Sequence, residues 1–450
     1  MNMPYHSVAL NLCGALALAC VACGSTSSDG ADGGNQPGVD AAPAVDGGVV
    51  GSPDYIFDET EIRTYNLTIS DTDWTWLNDN AQLEEYVPAK LEFEGQVLDQ
   101  IGVRYKGSFG SLFSCFDGEG NRICPKLSFK FKFNKYVSGT KFYGQKKVNF
   151  HSMKSDSTQM HEALGYTLYR NSNVYAPRSA YAKITVNGEL IGLFSIVEAI
   201  SGRFTRERFS DGGEGNLYKE IWPSYSTEQP YINALETNED ENPSADKMVR
   251  FAGAIAASTD ATFPGVLAQW MDVDALMRQL AVDRLIDHWD GIVAWYCQGA
   301  TCTNHNYYWY EETTQDRIWL IPWDLDNTFD EPSPIRTYFG MPDWDELSRG
   351  CAPVEVFWGI MGSPPYCDDL IGKIVRTMWP QYVAATQTLL DGDFRQSALN
   401  ARIDTLAALI RPEVAQDPNG PPLSEWEAAV AKLKNDIAAK RAYIQAKIAP

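Results

Sequence analysis

The 450-residue chain carries 59 Asp and Glu against 37 Lys and Arg, giving a formal net charge of −22 and a pI near 4.6. Binding to a phosphate backbone rests on clustered Lys and Arg, so this balance argues against nucleic acid as a partner. With 44% hydrophobic and 12% aromatic residues the chain is globular, and its length suits one large two-lobed domain or two to three smaller ones.

Residues 8–23 (VALNLCGALALACVAC) are apolar and small, too short to span a bilayer and sized as a signal-peptide core. The segment ends in Ala19-Cys20 and again in Ala22-Cys23-Gly24-Ser25, which resembles a bacterial lipobox. Cys23 fits lipidation better because Gly-Ser and a polar stretch follow it; Cys20 is the alternative. The preceding MNMPYHS holds no Lys or Arg, so the positive start usual in such signals is missing. Residues 25–53 offer almost nothing to bury and are expected to be a disordered tether. The expected organisation is a signal peptide at 1–23, a tether at 24–53, a β-rich lobe at 54–230 and a helical lobe at 231–450. Such a chain is exported and anchored to a membrane by lipid on Cys23 or Cys20.

Of nine cysteines, Cys13, Cys20 and Cys23 fall in the signal segment. The other six are sequence neighbours: Cys115 with Cys124, Cys297 with Cys302, and Cys351 with Cys367. In an exported protein this pattern predicts three local disulfides. Zinc is the competing reading, but no pair has C-x₂-C spacing and the chain has only five His.

From Tyr55 the pattern turns to β. Residues 64–69, 89–93 and 101–105 alternate, with a short helix over 71–77 capped by Asp71. Gly107 and Gly110 lie in RYKGSFGS, a glycine-bearing hairpin whose backbone N–H groups can cover phosphates; a plain β-turn satisfies the same pattern. Residues 126–133 (KLSFKFKF) alternate strictly, with Phe129, Phe131 and Phe133 on one face and Ser128, Lys130 and Lys132 on the other. Either the lysines are solvated or one of them enters a nucleotide cleft. A helix is predicted over 156–171, with Asp156 as cap and Glu162 in its first turns. Asn187-Gly188 marks a type I′ hairpin within 180–198. Helices follow over 245–258, 273–289, 369–390, 394–414 and 423–448.

The densest stretch runs from 285 to 330. It places Asp290 before a loop ending in Asn304-His305-Asn306, then an apolar strand over 317–322 that runs into Trp323-Asp324-Leu325-Asp326. Carboxylates just past a buried strand are held rigidly and suit a hard cation such as Mg²⁺. Three motifs here, His288-Trp289-Asp290, His305-Asn306-Tyr307-Tyr308-Trp309-Tyr310 and Ile321-Pro322-Trp323-Asp324-Leu325-Asp326, resemble those of the spore-coat-protein-H (CotH) kinases. The resemblance extends from about Tyr55 to the C-terminus through Val103-Arg104-Tyr105-Lys106-Gly107-Ser108, Phe131-Lys132-Phe133-Asn134-Lys135, Phe142-Tyr143-Gly144, Ala176-Pro177-Arg178 and Gly215-Asn216-Leu217-Tyr218-Lys219.

The resemblance implies an α+β, atypical bilobal protein-kinase-like fold with a β-rich N-lobe and a mainly helical C-lobe. It implies ATP and Mg²⁺ or Mn²⁺ as cofactors, and a protein at the cell surface as substrate. In that scheme Asp290 orients or deprotonates the acceptor hydroxyl, while Asp324 binds the metal with Asn306 and Asp326 in support. Arg104, one of Lys130 and Lys132, and Glu162 are the expected nucleotide-side residues, with Glu198 at the strand exit bordering the adenine. Two departures stand out: His288 replaces the family's Asn two places before the catalytic Asp, and the loop from Asp290 to Asn306 is longer than the common form.

Three functions compete at this level. The first is an exported kinase acting on Ser or Thr, and the second a non-catalytic adhesin or scaffold that keeps the fold. The third is a glycosidase, which the thirteen Trp permit but for which no carboxylate pair has a distinguishing context.

Overall fold

The computed structural model describes residues 48–107, 112–239, 243–299, 301–329, 343–346, 350–357 and 360–449. The signal segment with Cys20 and Cys23, most of the tether, and Gly110 lie outside the described residues. The chain is packed from just before its expected domain start. Val49 is buried, and its backbone bonds to Lys141 and Tyr143.

Seven strands close into a barrel: β1 (Arg63–Thr68), β2 (Val87–Phe93), β3 (Gln96–Lys106), β4 (Ser128–Lys132), β5 (Lys147–His151), β6 (Ser179–Val186) and β7 (Glu189–Glu198). Their order is β1-β2-β3-β4-β5-β7-β6, antiparallel throughout except where β1 closes on β6. The alternation over 126–133 sorts as the sequence predicts. Phe129, Phe131 and Phe133 fill the barrel with Tyr65, Tyr105 and Phe150, and the Phe131 and Phe150 ring centroids are 4.4 Å apart. Lys130 and Lys132 are half-buried on the outside. The β6–β7 turn has positive φ at both Asn187 and Gly188, as a type I′ hairpin requires.

Helix α1 (Asp71–Asp79) follows β1, and its cap is Ser70, whose Oγ accepts from the Asp73 N–H, not Asp71. Helix α2 (His161–Asn171), between β5 and β6, starts five residues later than expected. Asp156 spends its carboxylate on the Thr158 and His161 N–H groups across a tight turn. After β7 come α3 (Gly202–Arg208), β8 (Leu217–Lys219), α4 (Gln229–Ile232), α5 (Asp246–Ala257), α6 (Phe263–Trp270) and α7 (Val273–Leu285). Then follow β9 (Trp295–Gln298), β10 (Thr301–Thr303), β11 (Tyr307–Glu312), β12 (Arg317–Pro322), β13 (Val354–Phe357) and β14 (Ile360–Ser363). The chain finishes with α8 (Asp369–Thr377), α9 (Trp379–Asp391), α10 (Gln396–Val414) and α11 (Leu423–Ile448). The single helix expected over 369–390 is two, because Pro380 lacks the N–H that a continuous helix needs and fits only the first turn of a new one.

Two hydrophobic cores result. One fills the barrel; the larger joins α2, α7 and the C-terminal helices to a three-stranded sheet ordered β12-β11-β8. Strand β8 lies before residue 230 yet pairs with β11, and α2 packs in the larger core. The boundary expected at 230 therefore does not separate the two cores. A second sheet, β10-β9-β14-β13, carries the disulfide Cys297–Cys302, while Cys351–Cys367 lies beside it and Cys115–Cys124 closes the loop after β3. Among the described residues no helix is long and apolar enough to cross a membrane.

Candidate active site

The expected metal-loop and catalytic-loop residues meet because of two short connections. Helix α7 ends at Leu285, and Asp287, with φ of 54°, turns the chain out of it. This delivers His288 and Asp290 to the start of the β11–β12 hairpin. In that hairpin Tyr307 lies opposite Pro322, so Asn306 and Asp324 emerge from the same end, tied by the Trp323 N–H donating to the Asn306 carbonyl at 3.0 Å. The Asn306 side-chain amide then donates to the Asp290 backbone carbonyl at 2.9 Å and to its Oδ2 at 3.0 Å. With the nitrogen so committed, the amide oxygen is the atom left for a cation.

Asp324 holds a left-handed backbone, φ 52°, a conformation that costs a non-glycine residue about 1–2 kcal/mol and persists only when its surroundings fix it. Two side chains do so. Its N–H donates to the Tyr166 hydroxyl at 3.1 Å, and its carbonyl accepts from His288 Nε2 at 3.1 Å. His288 is almost fully buried and places Nδ1 3.3 Å from Asp283, so it braces the 323–326 loop against α7. Leu325 is a buried anchor that sits on Gly165 of α2, where a Cβ would come within 2.8 Å of its Cδ1. The Asp326 carbonyl is held by His161 Nδ1 at 3.0 Å.

These carboxylates crowd one another. Burial pushes Asp290 up to about 6; Asp324 and Glu220 add to the rise, and His305 and His288 oppose it. Burial, followed by Asp324, Glu162 and Asp290, drives Asp326 well above the usual carboxylate range. Glu162 Oε2 is buried without a hydrogen-bond partner among the described residues. Mutual repulsion among these carboxylates and the unpartnered Glu162 oxygen are what a divalent cation relieves, so the carboxylates around Asp324 fit one. His151, Glu162 and Asp324 also bring one ligand atom each within 4.8 Å of one another. Both nitrogens of His151 are engaged, however: Nε2 lies 3.0 Å from Lys106 Nζ and Nδ1 lies 2.7 Å from Glu162 Oε1.

Two cations outside the expected set face this cluster. Lys106, at the end of β3, is lowered by burial and by Lys219, against the pull of Asp324, Glu162 and Glu84. Lys219, at the end of β8, is lowered by burial but raised overall by Glu220, Glu236, Asp324 and Glu84. Lys130 lies opposite Arg104 and Asn149, and Lys132 opposite Gly102 and Lys147. Both thus point from the same outer face as Lys106 but run progressively away from the strand ends that carry Lys106 and His151. Arg104 is one step back: its guanidinium is 2.5 Å from Glu84 and over the Tyr86 ring, and Glu84 in turn accepts the Gly107 N–H at 2.8 Å.

Glu198 is corrected more sharply. It is 0% exposed, with one oxygen 2.6 Å from Arg178 and the other 2.6 Å from Arg208. Burial works to raise it, and the two arginines bring it below the usual carboxylate range. Its side chain is an ion-pair anchor at the strand exit, leaving only backbone for any ligand there. Glu162 does reach the cleft, but through His151. Of the residues that sequence reasoning left unassigned, Lys106 and Lys219 stood inside matched motifs, while His151 carried no signal beyond ending a short apolar strand.

No curated protein matches the chain. Among solved structures, the HipA, HipB and operator DNA complex of the Shewanella oneidensis MR-1 toxin–antitoxin system is similar at 12% identity, with a TM-score of 0.30 over 66% of this chain and 57% of that one. The chain therefore spans less than two thirds of the protein it matches, and a likeness of this size carries no argument. A family model described as CotH kinase protein, by contrast, matches residues 103–444. That span holds all of the residues gathered around Asp290 and Asp324 except Glu84, and it covers well over half of the sequence. The chain belongs to the CotH kinase family.

Proposed function

We propose that this chain is an exported, Mg²⁺-dependent protein kinase that transfers the ATP γ-phosphate to Ser or Thr of a secreted or surface protein. The observation that carries this reading is the fixed juxtaposition of Asp290, held by Asn306, with the Asp324–Asp326 loop across from two lysines. Phosphoryl transfer asks a protein mainly for position and charge. Asp290 accepts the proton of the acceptor hydroxyl, and its raised affinity for a proton suits a base working near neutrality. Asp324 and Asp326, with the Asn306 amide oxygen, would hold the divalent cation, which when bound neutralises phosphate charge. Lys106 and Lys219 offer the ammonium groups for the phosphates, replacing Lys130 and Lys132 in that role. The barrel and the larger core correspond to the two lobes of the reading, with Glu84 and Gly107 at the start of the loop over the phosphates.

Export is supported by three disulfides between sequence neighbours, which persist in oxidising compartments. A lipid on Cys23 or Cys20 would tether the enzyme to a membrane.

The test is autophosphorylation and nucleotide binding with labelled ATP and Mg²⁺ or Mn²⁺, beside Asp290→Ala and Asp324→Ala. Metal-dependent label that both substitutions abolish is the expected result. ATP binding without transfer would favour a scaffold that keeps the fold. No binding from folded, disulfide-paired protein would sink the kinase reading.

A further inference from the structure

Lys106 and Glu162 do not touch. Between them stands His151, and the chemistry of its two nitrogens is forced by its neighbours. An ammonium has three donors and no acceptor, so at 3.0 Å the Lys106 Nζ must donate to His151 Nε2, which therefore carries no proton. The imidazole proton then sits on Nδ1 and is donated to Glu162 Oε1 at 2.7 Å. The ring is 5% exposed and Glu162 3% exposed, and Trp323, the residue before Asp324, meets the imidazole edge-on with centroids 5.7 Å apart. Each member comes from a different element: Lys106 from β3, His151 from β5, Glu162 from α2. A buried chain of this kind fixes each of its members more firmly than water can, because each link runs in one direction and bulk solvent is excluded.

We propose that His151 is a positioning residue, relaying the hold of Glu162 on α2 to the Lys106 ammonium that faces the nucleotide phosphates. The relay rests on the kinase reading for its purpose, but its existence does not. It sets the ammonium one imidazole width farther from α2 than a direct ion pair would, toward Asp324, whose charge Lys106 feels. His151 touches neither substrate nor the reacting atoms; it acts through Lys106.

The test pairs His151→Phe, which keeps a ring against Trp323 but has no nitrogens, with His151→Gln, whose amide keeps one acceptor and one donor. His151→Phe is expected to raise KM for ATP about tenfold to a hundredfold, the loss typical of one charge-assisted hydrogen bond. Its kcat should stay within about threefold, and His151→Gln should recover most of the lost affinity. A merely structural role predicts the reverse split, with kcat falling as the active fraction falls while KM stays put. That split, or equal KM values in both variants and the unsubstituted protein, overturns the proposal. Where His151→Phe does not fold, ¹⁵N NMR of the histidine rings in the unsubstituted protein decides: the relay requires the Nδ1–H tautomer at His151, and an Nε2–H ring overturns it. That measurement also separates the two ideas, since the tautomer is expected even from protein that neither binds nor transfers phosphate.

Discussion

Asp290 is held in a place where its charge is disfavoured. Burial and the neighbouring Asp324 and Glu220 push it up to about 6 from an ordinary value near 3.8. Because the folded state binds this proton more tightly than the unfolded chain, the group's contribution to stability is fully present below about pH 4. It is lost as pH rises through about 6, and is level above that. A displacement of this size corresponds to at most about 3 kcal/mol. Asp290→Asn should therefore abolish transfer and yet, with metal chelated, make the protein about 1–3 kcal/mol more stable at pH 7.5. Urea unfolding at pH 7.5 and pH 4 checks this: the gain should vanish at the lower pH. A destabilised variant at pH 7.5 would mean that Asn306 holds Asp290 as a structural hydrogen bond first.

At the scale of elements, the 323–326 loop is set by helix α2 as much as by its own strand. Leu325 alternates with Asp324 and Asp326, so its packing onto Gly165 aims both carboxylates. Gly165→Ala has two opposed effects. Alanine favours the helix by about 0.5–1 kcal/mol, and the added Cβ meets Leu325 Cδ1 at 2.8 Å, an overpacking that costs about 1–3 kcal/mol. The net stability change should stay under about 2 kcal/mol, measured by thermal unfolding. Turnover should fall about a hundredfold, since a shift of an ångström at the reacting centre suffices for that. Unchanged turnover would show that Leu325 does not set the carboxylate positions. The same scale bears on the lysines of β4. Alternation over 126–133 shows which face Lys130 and Lys132 occupy, but not how far along that face the cleft lies. The position of the cleft follows from strand pairing, which puts the ends of β3 and β5, not the middle of β4, against α2.

Over the whole molecule, a buried ion pair helps to lock the C-terminal helical hairpin to the barrel. Asp417, in the loop between α10 and α11, accepts from Lys126 Nζ at 2.8 Å and from the Leu193 N–H at 2.9 Å. Lys126 also donates to the Leu193 carbonyl at 2.6 Å. Gly192, with φ of 143°, lets β7 approach so closely that a Cβ there would lie 2.4 Å from Asp417. Asp417→Ala leaves the Lys126 ammonium buried and uncompensated, so the loss should be about 3–5 kcal/mol. Chemical denaturation would register it; a loss below about 1 kcal/mol would mean that the hairpin is held by its apolar face and its other polar links, Lys183 to Glu413 and Asn419 to the Ile191 carbonyl among them.

Several things were legible in the sequence on its own: the barrel's inward phenylalanines, the Asn187-Gly188 turn, three disulfides between neighbours, and a cluster of carboxylates around Asp290, Asp324 and Asp326. Each depends on local chemistry: a period of two, a positive φ, a short loop, or carboxylates at a strand end. The partners of Lys106, Glu162 and Glu198 depended on tertiary structure. Their side chains meet residues 10 to 45 positions away on other elements, and a buried charge takes whichever partner the packing brings within about 3 Å. Glu198 found two arginines, and Glu162 found a histidine. Burial decides that a charge must be paired; only the assembled barrel and helices decide with what.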